Sequence, residues 1–121
     1  MQQFDQLYIN GSWVAPEGAE TIEVVNATTE AVMGTIPAGT AGDVDRAVSA
    51  AAAAFPAWST TAPADRAKYV QGIAEGIGAR NQEIAETITG EVGMPIFLSQ
   101  LIQAGLPQAV ASTYPAIAEE F

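Results

Sequence analysis

The stretch 64–95, ADRAKYVQGIAEGIGARNQEIAETITGEVGMP, decides the fold class predicted for this chain. Its large apolar residues recur in steps of three, four and seven, which marks one face of a helix. They are Tyr69, Val70, Ile73 and Ile77, followed by Ile84, Ile88 and Val92. The segment 78–82 between the two sets has no large apolar residue. The pattern therefore predicts two consecutive helices, at 64–79 and 82–91.

The ends of these helices carry their own signals. Asn81 is predicted to cap the second helix, because its side chain can accept hydrogen bonds from the first free amides. Gly93 can adopt the left-handed conformation that ends many helices, and Pro95 prevents continuation. The glycines of the first helix allow two interpretations, tolerated surface positions or close packing against a neighbouring helix. They are Gly72, Gly76 and Gly78.

Strands are predicted before the helices, over residues 1–37. Asn10-Gly11 stands between LYI (7–9) and SWV (12–14), and this dipeptide is the strongest short signal for a hairpin. TIEVV (21–25) and AVMGTI (31–36) are strand-like segments on either side of a second turn. The region thus predicts two short hairpin-like units and no parallel sheet.

The helical region is predicted to cover 40–121. Thr40 and Asp43 have the spacing of a capping box, with a hydroxyl at the cap and a carboxylate three residues later. The helix that they begin is expected to end before Pro56. A break or kink is expected near 104–107, because Pro107 has no amide hydrogen to donate.

Composition excludes several classes of function. The chain has 121 residues, with 4 basic and 14 acidic side chains and a net charge of −10. Such a balance argues against binding nucleic acid or an anionic membrane surface, which need basic patches. There is no cysteine and no histidine, so a thiol nucleophile and a histidine base are excluded. No apolar run is long enough to span a bilayer and no signal-peptide pattern is present, so a cytoplasmic location is predicted.

No motif here carries chemistry by its residues alone. The segment 34–42, GTIPAGTAG, lacks the order of a phosphate-binding glycine loop and is interpreted as a strand-to-helix connection. The glutamates of 75–91 are interpreted as a solvated helix face. From residue chemistry the chain has no catalytic constellation.

Several blocks in unbroken order nevertheless resemble the opening of the NAD(P)-dependent aldehyde dehydrogenase superfamily, from about Leu7 to the last residue. Two departures from the family pattern are Ala27, where Pro is common, and Met94, where Lys is frequent. The blocks are LYINGSWV, TIEVVNATTEAVMGTIPAG, DVDRAV, AFPAWS, ADRAKYVQGIAEGI and EIAETITGEVGMP.

The resemblance implies an α/β fold: the N-terminal part of an aldehyde dehydrogenase cofactor domain, with short hairpins followed by helices, whose Rossmann-like sheet lies outside this chain. The implied parent oxidises a small aldehyde to a carboxylic acid or acyl thioester with NAD or NADP and is a homo-oligomer. The family's catalytic cysteine, glutamate base and glycine motif come later than these segments. This chain alone is therefore expected to be inactive, to bind no cofactor and to associate with the remainder of the fold.

The resemblance also implies peripheral site residues. By alignment from Gly93 onward, Ile102 and Leu106 are the candidates that face the substrate tunnel. Val24, Val25 and Glu91 correspond to positions near a monovalent cation in some members. For all five the ordinary alternative is a core or helix-end residue.

Two functions stay open at this point. The first is a fragment of an aldehyde dehydrogenase, which an uncapped helix at Glu119-Glu120-Phe121 favours. The second is a noncatalytic binding or structural module from a truncated gene. The sequence does not distinguish NAD from NADP or identify the aldehyde.

Overall fold

The computed structural model describes residues 2–120 and gives side-chain surroundings for residues 4–118. It divides into two compact units, one up to Thr60 and the other from Thr61 onward. The first unit holds the strands and one helix, and the second is helical. The α/β class with short hairpins followed by helices is therefore confirmed.

The strands of the first unit form two small sheets. β1 (Gln2–Gln3), β4 (Thr21–Val25) and β5 (Val32–Pro37) make a three-stranded sheet in the order β1-β5-β4. β4 runs antiparallel to β5, as the predicted hairpin requires. β1 runs parallel to β5, so the expectation of no parallel pairing is wrong at this edge, where a strand of two residues is too short to show a sequence pattern. Neither sheet within residues 2–120 is of the Rossmann type.

A separate hairpin joins β2 (Leu7–Ile9) to β3 (Ser12–Val14). Its two turn residues, Asn10 and Gly11, have φ angles of 52° and 76°. Both values lie in the left-handed region, which asparagine and glycine tolerate best. The hairpin predicted from this dipeptide is confirmed.

α1 (Ala41–Ser59) begins at the predicted capping box, in which Thr40 and Asp43 each bond the other's backbone N–H. The expected end before Pro56 is wrong, because the helix continues for another turn. Proline removes only one backbone hydrogen bond near the end of a helix. The last carbonyls find other donors, since Ser59 Oγ lies 3.0 Å from Pro56 O and Thr60 Oγ1 lies 2.9 Å from Ala57 O.

The carboxylate of Asp43 ties the loop before the helix to the start of α1. It is only 3% exposed and accepts hydrogen bonds from the backbone N–H of Thr40 at 2.9 Å and of Glu17 at 3.1 Å. Arg46, one turn later, pairs with the same carboxylate and donates to Ala15 O at 3.2 Å. Together these contacts fix the loop at residues 15–17 on the helix.

These donors lower the pKa of Asp43 from 3.8 to about 2. The backbone N–H of Thr40 has the largest effect, and the Arg46 guanidinium, the Thr40 hydroxyl and the Glu17 N–H act in the same direction. Burial opposes them, because it disfavours the charged form.

We expect the first unit to lose stability as the pH falls from 3.8 to about 2. A carboxylate whose pKa is depressed by folding stabilises the fold fully above its ordinary pKa and loses that contribution as it is protonated. Compared with the unsubstituted chain, Asp43→Asn should lose less stability over this pH range and should be less stable at neutral pH. Acid titrations followed by far-ultraviolet circular dichroism would measure both. Asp45→Asn, which removes an exposed charge from the same helix, is the control, and an equal response of the two variants would contradict the expectation.

The second unit begins with α2 (Pro63–Ala79) and α3 (Asn81–Val92), which confirms the two predicted helices. Gly93 ends α3 with a φ of 74°, as expected. The expected cap at Asn81 is wrong: Arg80 occupies that position, and no side chain caps the helix. Asn81 instead donates from Nδ2 to Gln100 O at 3.2 Å, because a carbonyl of another helix lies within its reach.

Beyond Pro95 the chain is helical to Glu120, in three pieces. α4 (Ile96–Leu98) leads into a π-helical turn (Ser99–Ala104), and α5 (Gly105–Glu120) follows. In place of the break expected at 104–107, the helix changes type, and this change begins earlier, at Ser99. Pro107 is the third residue of α5, directly after the π-helical turn, and it has no N–H to donate to that turn.

Small side chains form the buried apolar core of the second unit. α2 packs on α5, and α3 packs on the π-helical turn. The buried apolar residues are Ala67, Ala74, Ala85 and Ala104. Many larger apolar side chains are exposed, including Leu101 at 70%. Within residues 2–120, no helix has the length and hydropathy needed to cross a membrane.

The glycines divide between the two interpretations. A Cβ at Gly72 or Gly76 would meet nothing within 4 Å, so these are surface positions. A Cβ at Gly78 would meet the amide end of the Gln108 side chain in α5, so this glycine lies at a helix contact, where the flexible Gln108 side chain can move aside.

Two glycine substitutions should have opposite effects on stability. Gly72→Ala should stabilise the chain by about 1 kcal/mol, because alanine loses less backbone freedom in a helix. Gly105→Ala would place its Cβ 2.9 Å from Gln100 O. Overpacking of this kind costs about 1–3 kcal/mol. Thermal unfolding by circular dichroism compares the two, and stabilisation by both would show that the π-helical turn does not need its glycine.

Candidate functional site

The two tunnel candidates lie on the last helical segment of the second unit. Ile102 is in the π-helical turn and is 43% exposed, and Leu106 is the second residue of α5 and is 55% exposed. Neither is a core residue of the described chain, so both side chains are accessible to a partner or ligand. Their chemistry is limited to apolar contact, which suits the hydrocarbon part of a substrate.

The π-helical turn that carries Ile102 is bonded to α3 by side chains. Thr89 donates its hydroxyl to Ser99 Oγ at 2.9 Å, and Asn81 donates to Gln100 O at 3.2 Å. The Gln100 side chain also bonds the side chain of Gln82. Ser99 is completely buried, so its hydroxyl depends on a protein partner. Sequence reasoning missed these bonds, although Gly105 followed by Pro107 was an available signal for irregular helix.

Glu91, the acidic cation candidate, lies exposed in the last turn of α3. No basic residue accompanies it in that turn. Because the C-terminal end of a helix carries partial negative charge, a carboxylate there is disfavoured unless a cation is near. The position is chemically suited to an oxygen ligand of a cation.

The other two cation candidates lie in the first unit, in β4. Val24 pairs with Gly34 and Val25 with Val32, so the partner strand has one extra residue between them. Such a bulge interrupts the ladder of backbone hydrogen bonds. Valine can offer a hard cation only its carbonyl oxygen, which is a suitable ligand. The donor types therefore fit a hard cation, and the joint assignment with Glu91 stays a prediction from the resemblance. Residues 4–118 hold no cluster of three or more acidic, histidine or cysteine side chains placed to bind a metal.

The N-terminus of α1, where the glycine-containing segment 34–42 leads, does not fit a pyrophosphate. The buried Asp43 carboxylate already accepts from the Thr40 N–H, and the Thr40 hydroxyl accepts from the Asp43 N–H at 3.2 Å. An incoming phosphate would meet this carboxylate and find these donors occupied. Because the N-terminus of α1 is already occupied, we interpret segment 34–42 as a structural connection.

The described chain thus presents an α/β scaffold with accessible apolar side chains. It belongs to the aldehyde dehydrogenase family, whose family model matches residues 13–118.

Individual relatives agree with this assignment. The chain is 39% identical over 107 residues to 3-succinoylsemialdehyde-pyridine dehydrogenase of a Pseudomonas species, covering 88% of this chain and 21% of that protein. It matches the structure of aldehyde dehydrogenase from Bartonella henselae with a TM-score of 0.95 and 31% identity, over 100% of this chain and 25% of that one. A mutant of aldehyde dehydrogenase C from Pseudomonas syringae, complexed with NAD+ and octanal, matches with a TM-score of 0.93 and 38% identity, over 97% and 24%.

The chain spans about a fifth to a quarter of the length of these relatives. It corresponds to the N-terminal part of the family's structures.

Proposed function

We propose that this chain is the N-terminal part of the cofactor domain of an NAD-dependent aldehyde dehydrogenase and acts together with the remainder of that fold. The observation that carries the proposal is the match of the whole chain, with a TM-score of 0.95, to a quarter of an aldehyde dehydrogenase. The exposed apolar faces support the same proposal. Leu101, for example, is 70% exposed, and a side chain of this size is usually buried in a complete fold.

In the proposed parent reaction a cysteine thiolate from outside this chain adds to the carbonyl carbon of the aldehyde, and bound NAD would supply the acceptor for the hydride that leaves that carbon. Water or an acyl-accepting thiol then cleaves the resulting thioester and gives an acid or a new thioester. Because this chain has no cysteine, it cannot supply the nucleophile. We propose that its contribution is the apolar wall formed by Ile102 and Leu106.

A chimera tests this proposal. Residues 1–121 would replace the matching N-terminal segment of the unmutated Pseudomonas syringae aldehyde dehydrogenase C, which is 38% identical over this region. We expect the chimera to form NADH from octanal and NAD, and the 121-residue chain alone to form none above a blank without protein. Absorbance of the reduced cofactor measures both.

Each result has a defined meaning. Turnover by the chain alone would contradict its assignment as a noncatalytic part. A chimera that is soluble and binds NAD but has no activity would contradict the proposal and favour the alternative, a noncatalytic binding or structural module.

The tunnel assignment predicts a change of selectivity in the same chimera. Shortening Ile102→Ala and Leu106→Ala together should alter the ratio of kcat/KM for octanal to that for propanal by about tenfold, because one methylene in an apolar pocket is worth at least that factor. Ile73→Ala, at an exposed apolar position of α2, is the matched control and should leave the ratio unchanged. An unchanged ratio in the double variant would remove both residues from the tunnel.

A further inference from the structure

The π-helical turn has two local causes, Gly105 and Pro107. The Gly105 N–H donates to Gln100 O, five residues back, and a Cβ at 105 would lie 2.9 Å from that oxygen. Pro107 has no N–H, so an ordinary helical bond to Gln103 O is impossible. Turns of this kind are rare within helices and occur frequently at functional sites.

Two side chains of α3 hold this turn directly. Gln100 O, the acceptor that defines the turn, also receives the Nδ2–H of Asn81 at 3.2 Å. Ser99, the first residue of the turn, is completely buried and receives the Thr89 hydroxyl at 2.9 Å. Removing the Thr89 hydroxyl would leave the buried Ser99 hydroxyl with one partner fewer, which is costly inside a protein, and removing the Asn81 amide would take a donor from the part-buried Gln100 O.

The turn determines how Ile102 and Leu106 lie relative to each other. Each residue of an α-helix rotates the chain by about 100°, so an extra residue in one turn rotates every later residue of the helix by that angle. Ile102 lies within the turn and Leu106 beyond it. A change in the hydrogen bonds of the turn would therefore move one side chain relative to the other.

We propose that Asn81 and Thr89 are positioning residues for aldehyde selectivity: by bonding Gln100 O and Ser99 they fix the π-helical turn and hence the apolar wall of Ile102 and Leu106. This inference rests on the proposed function, in which that wall faces the substrate. Neither Asn81 nor Thr89 touches the aldehyde. Their effect on selectivity passes through the main chain of the turn.

The test uses the chimera and the ratio of kcat/KM for octanal to that for propanal. Thr89→Ala and Asn81→Asp should each change this ratio by about fivefold or more, because small displacements of a positioned wall have large kinetic effects. Thr89→Ser keeps the hydroxyl and should restore the original ratio. Asn81→Asp keeps the side-chain size and suits the first turn of a helix, so it tests the bond without unfolding α3.

The matched control is Thr87→Ala. Thr87 lies two residues before Thr89 on the same helix, but its hydroxyl donates to Glu83 O within α3, at 3.0 Å, and not to the π-helical turn. This variant should keep the ratio within about twofold of that of the unsubstituted chimera, which is the usual range for a surface substitution. The thermal midpoint of every variant is measured in parallel.

The outcomes separate the two proposals. If the double change Ile102→Ala and Leu106→Ala leaves the ratio unaltered, the tunnel assignment itself is wrong. If that double variant alters the ratio but Asn81→Asp and Thr89→Ala only lower the thermal midpoint, the two residues are purely structural and the positioning proposal is overturned. If Thr87→Ala changed the octanal-to-propanal ratio as much as Thr89→Ala does, the positioning proposal would be overturned as well.

Discussion

Close approach of small side chains is the constraint on which the second unit depends. The buried alanines, among them Ala74 of α2 and Ala104 of the π-helical turn, let the helices pack tightly while larger apolar residues lie on outward faces. Burial of one Leu or Ile side chain contributes about 1.5–3 kcal/mol, and a domain's net stability is only about 5–15 kcal/mol. Much of the stabilisation available to this sequence is therefore unused in the chain by itself. A larger fold that covers these faces would use it.

Polar contacts in both units serve mainly to fix geometry. A neutral hydrogen bond contributes about 1 kcal/mol net, so the bond of Thr89 to Ser99 adds little to overall stability. Its loss would nevertheless leave a fully buried hydroxyl without that partner. Asp43 has the corresponding role in the first unit, where it links the loop at Glu17 to the start of α1. Each contact joins segments that backbone hydrogen bonding alone does not align.

The family of this chain can be assigned without identifying a reactive residue in it. The family is shown by a match that extends over most of the chain, and it does not depend on any one catalytic motif. The residues on which the proposed function rests are apolar or main-chain groups, such as Ile102 and the carbonyl of Gln100. Residues of this kind have no reactive side chain, so no catalytic motif identifies them.

Local physics made part of this structure predictable. The hairpin at Asn10-Gly11, the capping box at Thr40 and the end of α3 at Gly93 each depend on backbone preferences within a few residues. The tunnel and cation candidates came from resemblance, because apolar side chains and carbonyl oxygens carry no distinctive sequence pattern.

Contacts between separate elements decided the rest. Asparagine is a residue type that caps helices, but Asn81 donates instead to Gln100 O, 19 residues away in the sequence. Gly78 and Gly72 look alike in sequence, and only the position of Gln108 distinguishes them. The π-helical turn at Ser99–Ala104 has local causes, but its bonds to α3 exist only in the folded chain. Sequence alone determined most of the elements and those ends that depend on local backbone preferences, such as Thr40 and Gly93. Tertiary packing selected the partners of Asn81 and Ser99, because those bonds join groups that only the folded chain brings together.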